Sequence, residues 1–444
     1  MHVVVVGAGI AGLSAAVHAA KLRPGARVSV LEASARTGGL IQTEHGPGGF
    51  LMEHGPDSLM IAKPAGARVV DELALQGELV RTGARGSFLL DERDRLIALP
   101  EGLISPSPST AWALGRSPLL SVRGKLRFFL EPLVPRRRDG EEESVEAFFS
   151  RRFGSEMAER VVDPVLRAVY GWPSRELGME SVMPRLLETE RGGSIARASL
   201  RAPRSARPPL VTFRRGMGQL ASALASAHRG ALRTGVSVRA LSRHARGFRL
   251  ALSDASSLDA DAVILAVPAW VAASIVEPLD PDLAGELGAI EHAPLASIHL
   301  AWRSRDVPQA LCGTGFLVSP TSRCQLTACT WSSRKWPGRA PDGDVLVRAF
   351  LRDASLADRD AMAAARAELR ALVGVNAAPL LIRIRRRARA LPRCGVGHRA
   401  RVDRMAALAA SWSGLALAGN ADGGVGIPDC IESGVRAAEA VLAA

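Results

Sequence analysis

The sequence predicts an α/β fold organised around a parallel sheet that binds a dinucleotide, and three observations near the N-terminus support this class. Four consecutive valines, residues 3–6, are typical of a short buried strand. A G-x-G-x-x-G turn follows at Gly7, Gly9 and Gly12, and an alanine-rich helical segment begins directly after it. A second apolar strand, residues 26–31, ends at Glu32, which lies about 20 residues past the last glycine.

Each glycine of the turn has a distinct expected role. Gly7 allows the tight turn, Gly9 lets the backbone approach a diphosphate, and Gly12 lets the helix pack closely on the strand. The helix N-terminus then offers free N–H groups to the phosphates, and Glu32 accepts from ribose hydroxyls. A glycine turn without a nucleotide is the alternative, and the flanking strand, helix and acid argue against it. The expected contacts are Gly7, Ala8, Gly9, Ile10, Ala11, Gly12 and Glu32.

Length and composition narrow the class of protein. The 444 residues are enough for two or three domains, and 47% are hydrophobic. The formal net charge of +13 permits attraction to acidic ligands or an anionic membrane, but a bias towards Ala, Gly and Arg explains most of it. Nucleic-acid binding is not expected, because only 4% of the residues are aromatic and stacking platforms are scarce.

The five cysteines indicate a reducing compartment. Their number is odd and no C-x-x-C pair occurs, so neither a zinc site nor a disulfide framework is expected. The N-terminal apolar run is the nucleotide strand and lacks a preceding basic region, which argues against a signal peptide. We therefore expect a cytoplasmic protein, with peripheral contact to the inner face of the cell membrane as an option.

Two further loops carry a family resemblance. An Arg-x-Gly-Gly segment ends at Gly39, and a Glu-His-Gly-Pro-Asp-Ser segment covers residues 53–58. Together with the N-terminal turn they resemble the FAD-binding flavoprotein oxidases, and within that superfamily the protoporphyrinogen oxidase family. The resemblance implies FAD, held without a covalent bond. It adds cofactor contacts at Ala33, Arg36, Gly38, Gly39, Leu40, Gly55, Pro56, Asp57 and Ser58.

The C-terminal part closes the same predicted site. Residues 414–420 read as a strand running into a loop, and a glycine-rich stretch then opens a final helix at about Cys430. Such a helix start can stabilise charge on a reduced flavin, although a plain loop–helix junction has the same appearance. The resemblance also assigns the adenine to the backbone of Val238. The C-terminal contacts that it implies are Gly419, Asn420, Val425, Gly426 and Ile427.

The predicted organisation has three parts. A Rossmann-type FAD-binding domain comprises residues 1–62, 210–290 and 395–444. A discontinuous α+β substrate domain comprises residues 63–90 and 291–394, with a helix at 63–80 and a strand at 380–385. Residues 91–209 form a helical insertion, for which membrane binding is one of two interpretations.

Two charged segments have competing interpretations. Phe128, Phe129 and Leu130 lie among basic residues, which suits a membrane surface, but a core-facing helix with a charged rim is an equal alternative. The arginines between Arg383 and Arg389 can serve acidic substrate groups, although a solvated strand face is the favoured interpretation.

The resemblance implies oxidation of protoporphyrinogen IX to protoporphyrin IX, with FAD as cofactor and molecular oxygen as acceptor. Substrate contacts are expected at Arg85, Ser87 and Trp172. In the resembled family an arginine occupies the position of Ser87. Arg85 is expected to take over its role, on the assumption that the strand at 88–90 extends back to Arg85. No catalytic acid or base is assigned, structural roles are favoured for His54 and His398, and a homodimer is left open.

Several alternatives stay open. Coproporphyrinogen is the nearest other substrate, and an amine oxidase or a carotenoid-type desaturase uses the same fold. A flavoprotein that has lost catalysis is a further alternative, because the chain departs from the family pattern at Trp172, Asp422 and Pro428.

Overall fold

The computed structural model describes residues 1–100, 108–137, 140–201, 210–228, 230–308, 311–422 and 424–443. The strands are β1 (His2–Val6), β2 (Arg27–Glu32), β3 (Thr43–His45), β4 (Leu51–Glu53), β5 (Leu59–Met60), β6 (Leu79–Arg81), β7 (Ser87–Leu90), β8 (Leu96–Leu99), β9 (Leu210–Phe213), β10 (Ala231–Thr234), β11 (Val238–His244), β12 (Gly247–Leu252), β13 (Ser257–Ala260), β14 (Ala262–Leu265), β15 (His292–Arg303), β16 (Gly315–Val318), β17 (Leu326–Thr330), β18 (Asp344–Leu351), β19 (Leu381–Pro392) and β20 (Leu415–Leu417). The helices are α1 (Ile10–Leu22), α2 (Pro64–Glu72), α3 (Pro108–Arg116), α4 (Val122–Phe129), α5 (Val145–Phe153), α6 (Ser155–Met157), α7 (Asp163–Tyr170), α8 (Met179–Val182), α9 (Pro184–Arg191), α10 (Ile195–Arg201), α11 (Gly218–Ala227), α12 (Ala269–Val276), α13 (Pro281–Gly288), α14 (Ser332–Lys335), α15 (Asp358–Val373), α16 (His398–Ser411) and α17 (Ile427–Ala443).

A parallel sheet forms the centre of the first domain and confirms the predicted α/β class. Its order is β10-β2-β1-β14-β20, so the N-terminal strand lies in the middle. Helices α1 and α17 pack on one face, and the β11–β13 meander and α12 contribute to the core on the other. Strand β1 is therefore buried on both sides, which is why its sequence is a continuous run of valines.

The second sheet has the order β19-β15-β18-β17-β16-β7-β8. One face packs on α15 through Ala361, Ala365 and Leu369. The other face meets the β3–β4 hairpin of the first domain, where Met52 packs against Ala301. The strands predicted at residues 88–90 and 380–385 are present, but β19 continues to Pro392, well past its predicted end at residue 385.

Strand β8 and helix α2 pack against parts of the structure other than the predicted domains to which their residues were assigned. Strand β8 pairs with β7, so the second sheet extends beyond residue 90. Helix α2 packs with α17 and β1 in one core cluster. The helix predicted for residues 63–80 ends at Glu72, because Ala74 has a left-handed backbone with φ of 52°.

The helical part of the chain begins at α3. Ser121 and Ser144 cap α4 and α5, each accepting a hydrogen bond from a backbone N–H in the first turn. Proline-rich and arginine-rich stretches flank α3 and α10, which are nevertheless helical, while residues 202–209 lie outside the described part of the chain. Among the described helices, none is both long and apolar enough to cross a bilayer.

Candidate cofactor-binding and active site

In the glycine turn after β1, two positions have no room for a side chain, whereas the third faces open space. Gly7 has a φ of 104°, and a β-carbon there would lie 2.5 Å from the carbonyl oxygen of Ala266. A β-carbon at Gly12 would lie 1.9 Å from the carbonyl oxygen of Gly7. At Gly9 the nearest such atom is the Cα of Gly39, 4.0 Å away. Protein packing therefore explains Gly7 and Gly12, whereas the space beside Gly9 can hold a ligand.

The start of α1 is suited to an anion. The helix begins at Ile10, Gly9 is its N-cap, and no side chain accepts from its first turn. The first N–H groups of a helix have no intrahelical partner, and the helix dipole is positive at this end. The backbone of Ile10, Ala11 and Gly12 can therefore donate to phosphate oxygens beside the open space at Gly9.

The carboxylate of Glu32 lies at the same edge of the sheet. One of its oxygens accepts from the backbone N–H of Ala8 at 2.7 Å, and the other accepts from that of Ser34 at 2.9 Å. The backbone N–H of Val236 bonds to the carbonyl of Glu32 at 3.0 Å, so Val238 follows directly at the start of β11. The predicted ribose and adenine positions are thus brought together.

The Gly-Gly loop contacts the glycine turn directly. The backbone N–H of Gly38 bonds to the carbonyl of Ala8 at 2.8 Å, and a β-carbon on Gly39 would lie 3.1 Å from the Cα of Gly9. Arg36 donates to the carbonyl oxygens of Thr37, Gly39 and Ile41. Its guanidinium therefore shapes this loop. Ala33 lies beside Glu32, and Leu40 is exposed at the end of the glycine pair.

The loop at residues 53–58 is held by the second sheet. Arg348 on β18 donates to the carbonyl of Gly55 at 2.6 Å, and a β-carbon on Gly55 would lie 1.9 Å from the carbonyl oxygen of Leu40. Lys335 pairs with the Asp57 carboxylate at 2.8 Å, and Trp336 donates to it at 3.1 Å. The side chain of Asp57 is thus occupied by protein partners. Pro56 is exposed beside it and Ser58 is half-buried.

The charges under this loop are strongly perturbed. Burial acts to raise the pKa of Asp57, but the charge and hydrogen bonds of Lys335 and the indole of Trp336 hold it below its usual value. Burial lowers the pKa of Arg348 to about 10. Sequence reasoning missed Lys335, Trp336 and Arg348, because they come from a distant part of the chain and no local motif marks them.

The C-terminal loop is anchored by a hydrogen-bond chain. The Ser433 hydroxyl accepts from the backbone N–H of Gly419 at 3.0 Å and donates to Asp422 at 2.7 Å. Arg436 pairs with the same carboxylate at 3.3 Å. Asp422, one of the departures from the family pattern, therefore fixes the loop that carries Gly419 and Asn420.

Helix α17 starts at Ile427, earlier than the expected start at Cys430. Val425 and Gly426 lie directly before it. Pro428 occupies the first turn, where a backbone N–H would have no intrahelical acceptor, so its absence costs no hydrogen bond. The helix crosses α1 closely, since a β-carbon on Gly434 would lie 2.1 Å from the carbonyl oxygen of Ala11.

The three predicted substrate residues do not share one location. Ser87 begins β7, but Arg85 lies before it and is exposed, with Gly86 between them at a φ of 79°. The expectation that the strand extends to Arg85 is therefore wrong, because the left-handed glycine breaks the alternation of side chains. Trp172, which follows α7 in sequence, packs beside the C-terminal end of β19, where its indole N–H donates to the carbonyl of Leu391 at 3.2 Å.

The histidines near these loops have structural partners. His54 bonds to Glu44 at 2.8 Å, and its ring meets that of His299 edge-on at 5.1 Å. His398 bonds to the carbonyl of Ala421 at 2.9 Å. Burial lowers the pKa of His54 and of His398. In the described part of the chain, His, Cys, Asp and Glu side chains form no group able to hold a metal ion.

The loops around the open space at Gly9 match the chemistry of a dinucleotide cofactor, and the family comparison agrees. The model of the flavin containing amine oxidoreductases matches residues 10–442. The chain belongs to this family. Its members' cofactor is FAD, and the protein is an FAD-dependent oxidoreductase.

The chain is similar over its full length to enzymes that are named as porphyrinogen oxidases. Coproporphyrinogen III oxidase of Propionibacterium freudenreichii subsp. freudenreichii is 33% identical, over 99% of this chain and 90% of the relative. Protoporphyrinogen oxidase of Bos taurus is 31% identical, over 99% and 98%. A crystal structure from Exiguobacterium sp. 255-15, provisionally named protoporphyrinogen oxidase, is 26% identical with a TM-score of 0.87, over 99% and 98% of the two chains. Such relatives support a flavin oxidase of porphyrin biosynthesis.

Proposed function

We propose that this protein oxidises protoporphyrinogen IX or coproporphyrinogen III to the corresponding porphyrin, with molecular oxygen as the electron acceptor. The observation that carries the proposal is the match to relatives with both names over nearly the full length of each chain. Both reactions remove hydrogen pairs from the reduced macrocycle. For each pair, FAD would carry the two electrons to oxygen, which with two protons would form hydrogen peroxide.

The residues of the site have distinct proposed tasks. The N-terminus of α1 with Gly9 binds the diphosphate of FAD, and Glu32 binds a ribose. FAD, when bound, supplies the hydride acceptor. The loop at Gly55 and the N-terminus of α17 would hold the flavin ring, and the positive helix end would favour negative charge on that ring. Ser433 and Asp422 keep the neighbouring loop at Gly419 and Asn420 in place.

The substrate can be tested directly with purified protein, FAD and oxygen. Each porphyrinogen is supplied separately, and porphyrin fluorescence is followed against a control without enzyme. We expect porphyrin to form with at least one of them, accompanied by hydrogen peroxide. If neither porphyrinogen is oxidised faster than in the control while FAD is bound, the proposal is refuted, and a flavoprotein without this activity becomes the better account.

We also propose that the helical part binds an anionic membrane surface. Of the three residues of the expected patch, Phe128 is buried, whereas Phe129 and Leu130 are 52% and 49% exposed. On the same helix Val122 and Leu126 are 76% and 63% exposed. Leu133 follows at 73%. Arg123 and Lys125 lie within the same stretch and can contact anionic head groups.

Co-sedimentation with phosphatidylglycerol vesicles tests this surface. Binding should weaken as salt rises, because the attraction is screened. The variant Leu126→Asp with Phe129→Ser should bind less than Leu96→Ser, an exposed apolar residue of β8 outside the patch. Equal sedimentation of the two proteins would show that these side chains do not bind membranes.

A further inference from the structure

Strand β19 carries its arginines on two faces. Arg383, Arg385 and Arg387 lie opposite His299, Ser297 and Leu295 of β15 and share one face of the sheet. Arg386 points to the other face, where it pairs with Asp358 of α15 at 2.7 Å. The sequence favoured a solvated strand face for the whole cluster, but alternation divides it into two groups.

The first group reaches the Gly-Gly loop of the cofactor site. Arg383 pairs with Glu44 of β3 at 3.0 Å. Arg387 donates to the side-chain oxygen of Gln42 at 3.4 Å, and Arg36 donates to the same oxygen at 3.4 Å. Gln42 follows the glycine pair in sequence, and its carbonyl accepts from the backbone N–H of His54 at 2.8 Å. One amide thus lies between two guanidinium groups, at the junction of both cofactor loops.

These guanidinium groups form no close ion pair with a described carboxylate, although Glu32 acts on Arg36 from a greater distance. Among the described residues, no carboxylate lies within 4.0 Å of the guanidinium of Arg36, Arg385 or Arg387. Burial lowers the pKa of Arg36 and of Arg387, and the positive charge of Arg385 lowers both further. The buried Nε of Arg387 also has no hydrogen-bond partner. Like charges held together at a partly buried site are unfavourable unless an anion joins them.

We propose that Arg36, Arg385 and Arg387 around Gln42 form a binding pocket for an oxyanion of a ligand held between the Gly-Gly loop and the second sheet. A planar guanidinium matches both carboxylate and phosphate oxygens. The oxyanion has two candidate sources. One is the diphosphate of FAD; the other is a carboxylate of the substrate, and that source rests on the proposed function.

The test compares two double variants with equal loss of charge on one strand. Arg385→Gln with Arg387→Gln removes the pocket. Arg386→Gln with Arg389→Gln is the control, because Arg386 faces α15 and Arg389 stacks on Trp270 at 5.0 Å. Affinity for FAD is measured by reconstituting the apoprotein and following quenching of flavin fluorescence. Affinity for coproporphyrin III, a tetracarboxylate, is measured by absorbance titration of the FAD-loaded protein, which needs no turnover.

Loss of a hydrogen bond to a charged group weakens binding by roughly tenfold to a hundredfold. A loss of that size in FAD affinity, relative to the control variant, assigns the pocket to the diphosphate. The same loss for coproporphyrin III, with FAD affinity unchanged, assigns it to a carboxylate. If the pocket variant equals the control in both titrations, the proposal is wrong. Neither titration depends on porphyrinogen oxidation, so failure of the proposed activity would be seen separately.

Discussion

Gly9→Val should give a folded protein that cannot bind FAD. A β-carbon at Gly9 lies no closer than 4.0 Å to the atoms of other segments, so the apoprotein should tolerate it. The same carbon occupies the space in which we place the diphosphate. Gly12→Ala is the matched contrast, because its β-carbon would lie 1.9 Å from the carbonyl oxygen of Gly7 and must distort the turn.

The size of the effect follows from ligand linkage. At a free FAD concentration of about 100 times Kd, binding stabilises the folded protein by about 2.7 kcal/mol. Unfolding entropy is about 2.1 cal/mol/K per residue, which for 444 residues amounts to ~0.9 kcal/mol/K. Saturating FAD should therefore raise the Tm of the wild-type protein by about 3 °C and leave that of Gly9→Val unchanged.

Differential scanning fluorimetry of the apoproteins, with and without FAD, measures both quantities. The apoprotein of Gly9→Val should melt near the wild-type temperature, and that of Gly12→Ala clearly below it. A Gly9→Val protein that purifies yellow, or whose Tm rises with FAD as the wild type does, would refute the assignment of the diphosphate to this turn.

The FAD should leave the denatured chain on treatment with acid, because the family resemblance implies a cofactor held without a covalent bond; flavin that stays with the precipitate would contradict this. Asp57→Asn should destabilise the protein by about 1.5–3 kcal/mol at neutral pH. The folded pKa of Asp57 is depressed, so its contribution is complete above the unfolded value of about 3.9 and is lost as pH falls further. The difference in urea midpoint from wild type should therefore shrink below about pH 4, and a constant difference would contradict the role of the carboxylate. A substrate contact for Arg85 stays a prediction although its strand argument failed: Arg85→Ala should raise KM about tenfold to a hundredfold, with partial rescue by Ser87→Arg, and an unchanged KM would assign Arg85 to the surface.

The sequence by itself determined the cofactor domain, because its signals are local. The valine strand, the glycine turn and Glu32 lie within one short segment, and each residue type follows from burial, backbone space or ribose chemistry. The predicted strands of the second sheet were also found, since alternation and apolar runs are local as well.

Tertiary structure decided the residues that support those loops. Lys335 and Trp336 at the end of α14 and Arg348 on β18 reach the loop at residues 53–58 from far along the chain, and no spacing rule connects them. The arginines of β19 form a uniform run in the sequence, yet strand alternation and the pairing with β15 place Arg385 and Arg387 towards the cofactor loops and Arg386 towards α15. The local sequence pattern determines on which face of a strand a side chain lies, but only the packing of the two sheets determines which residues that face contacts.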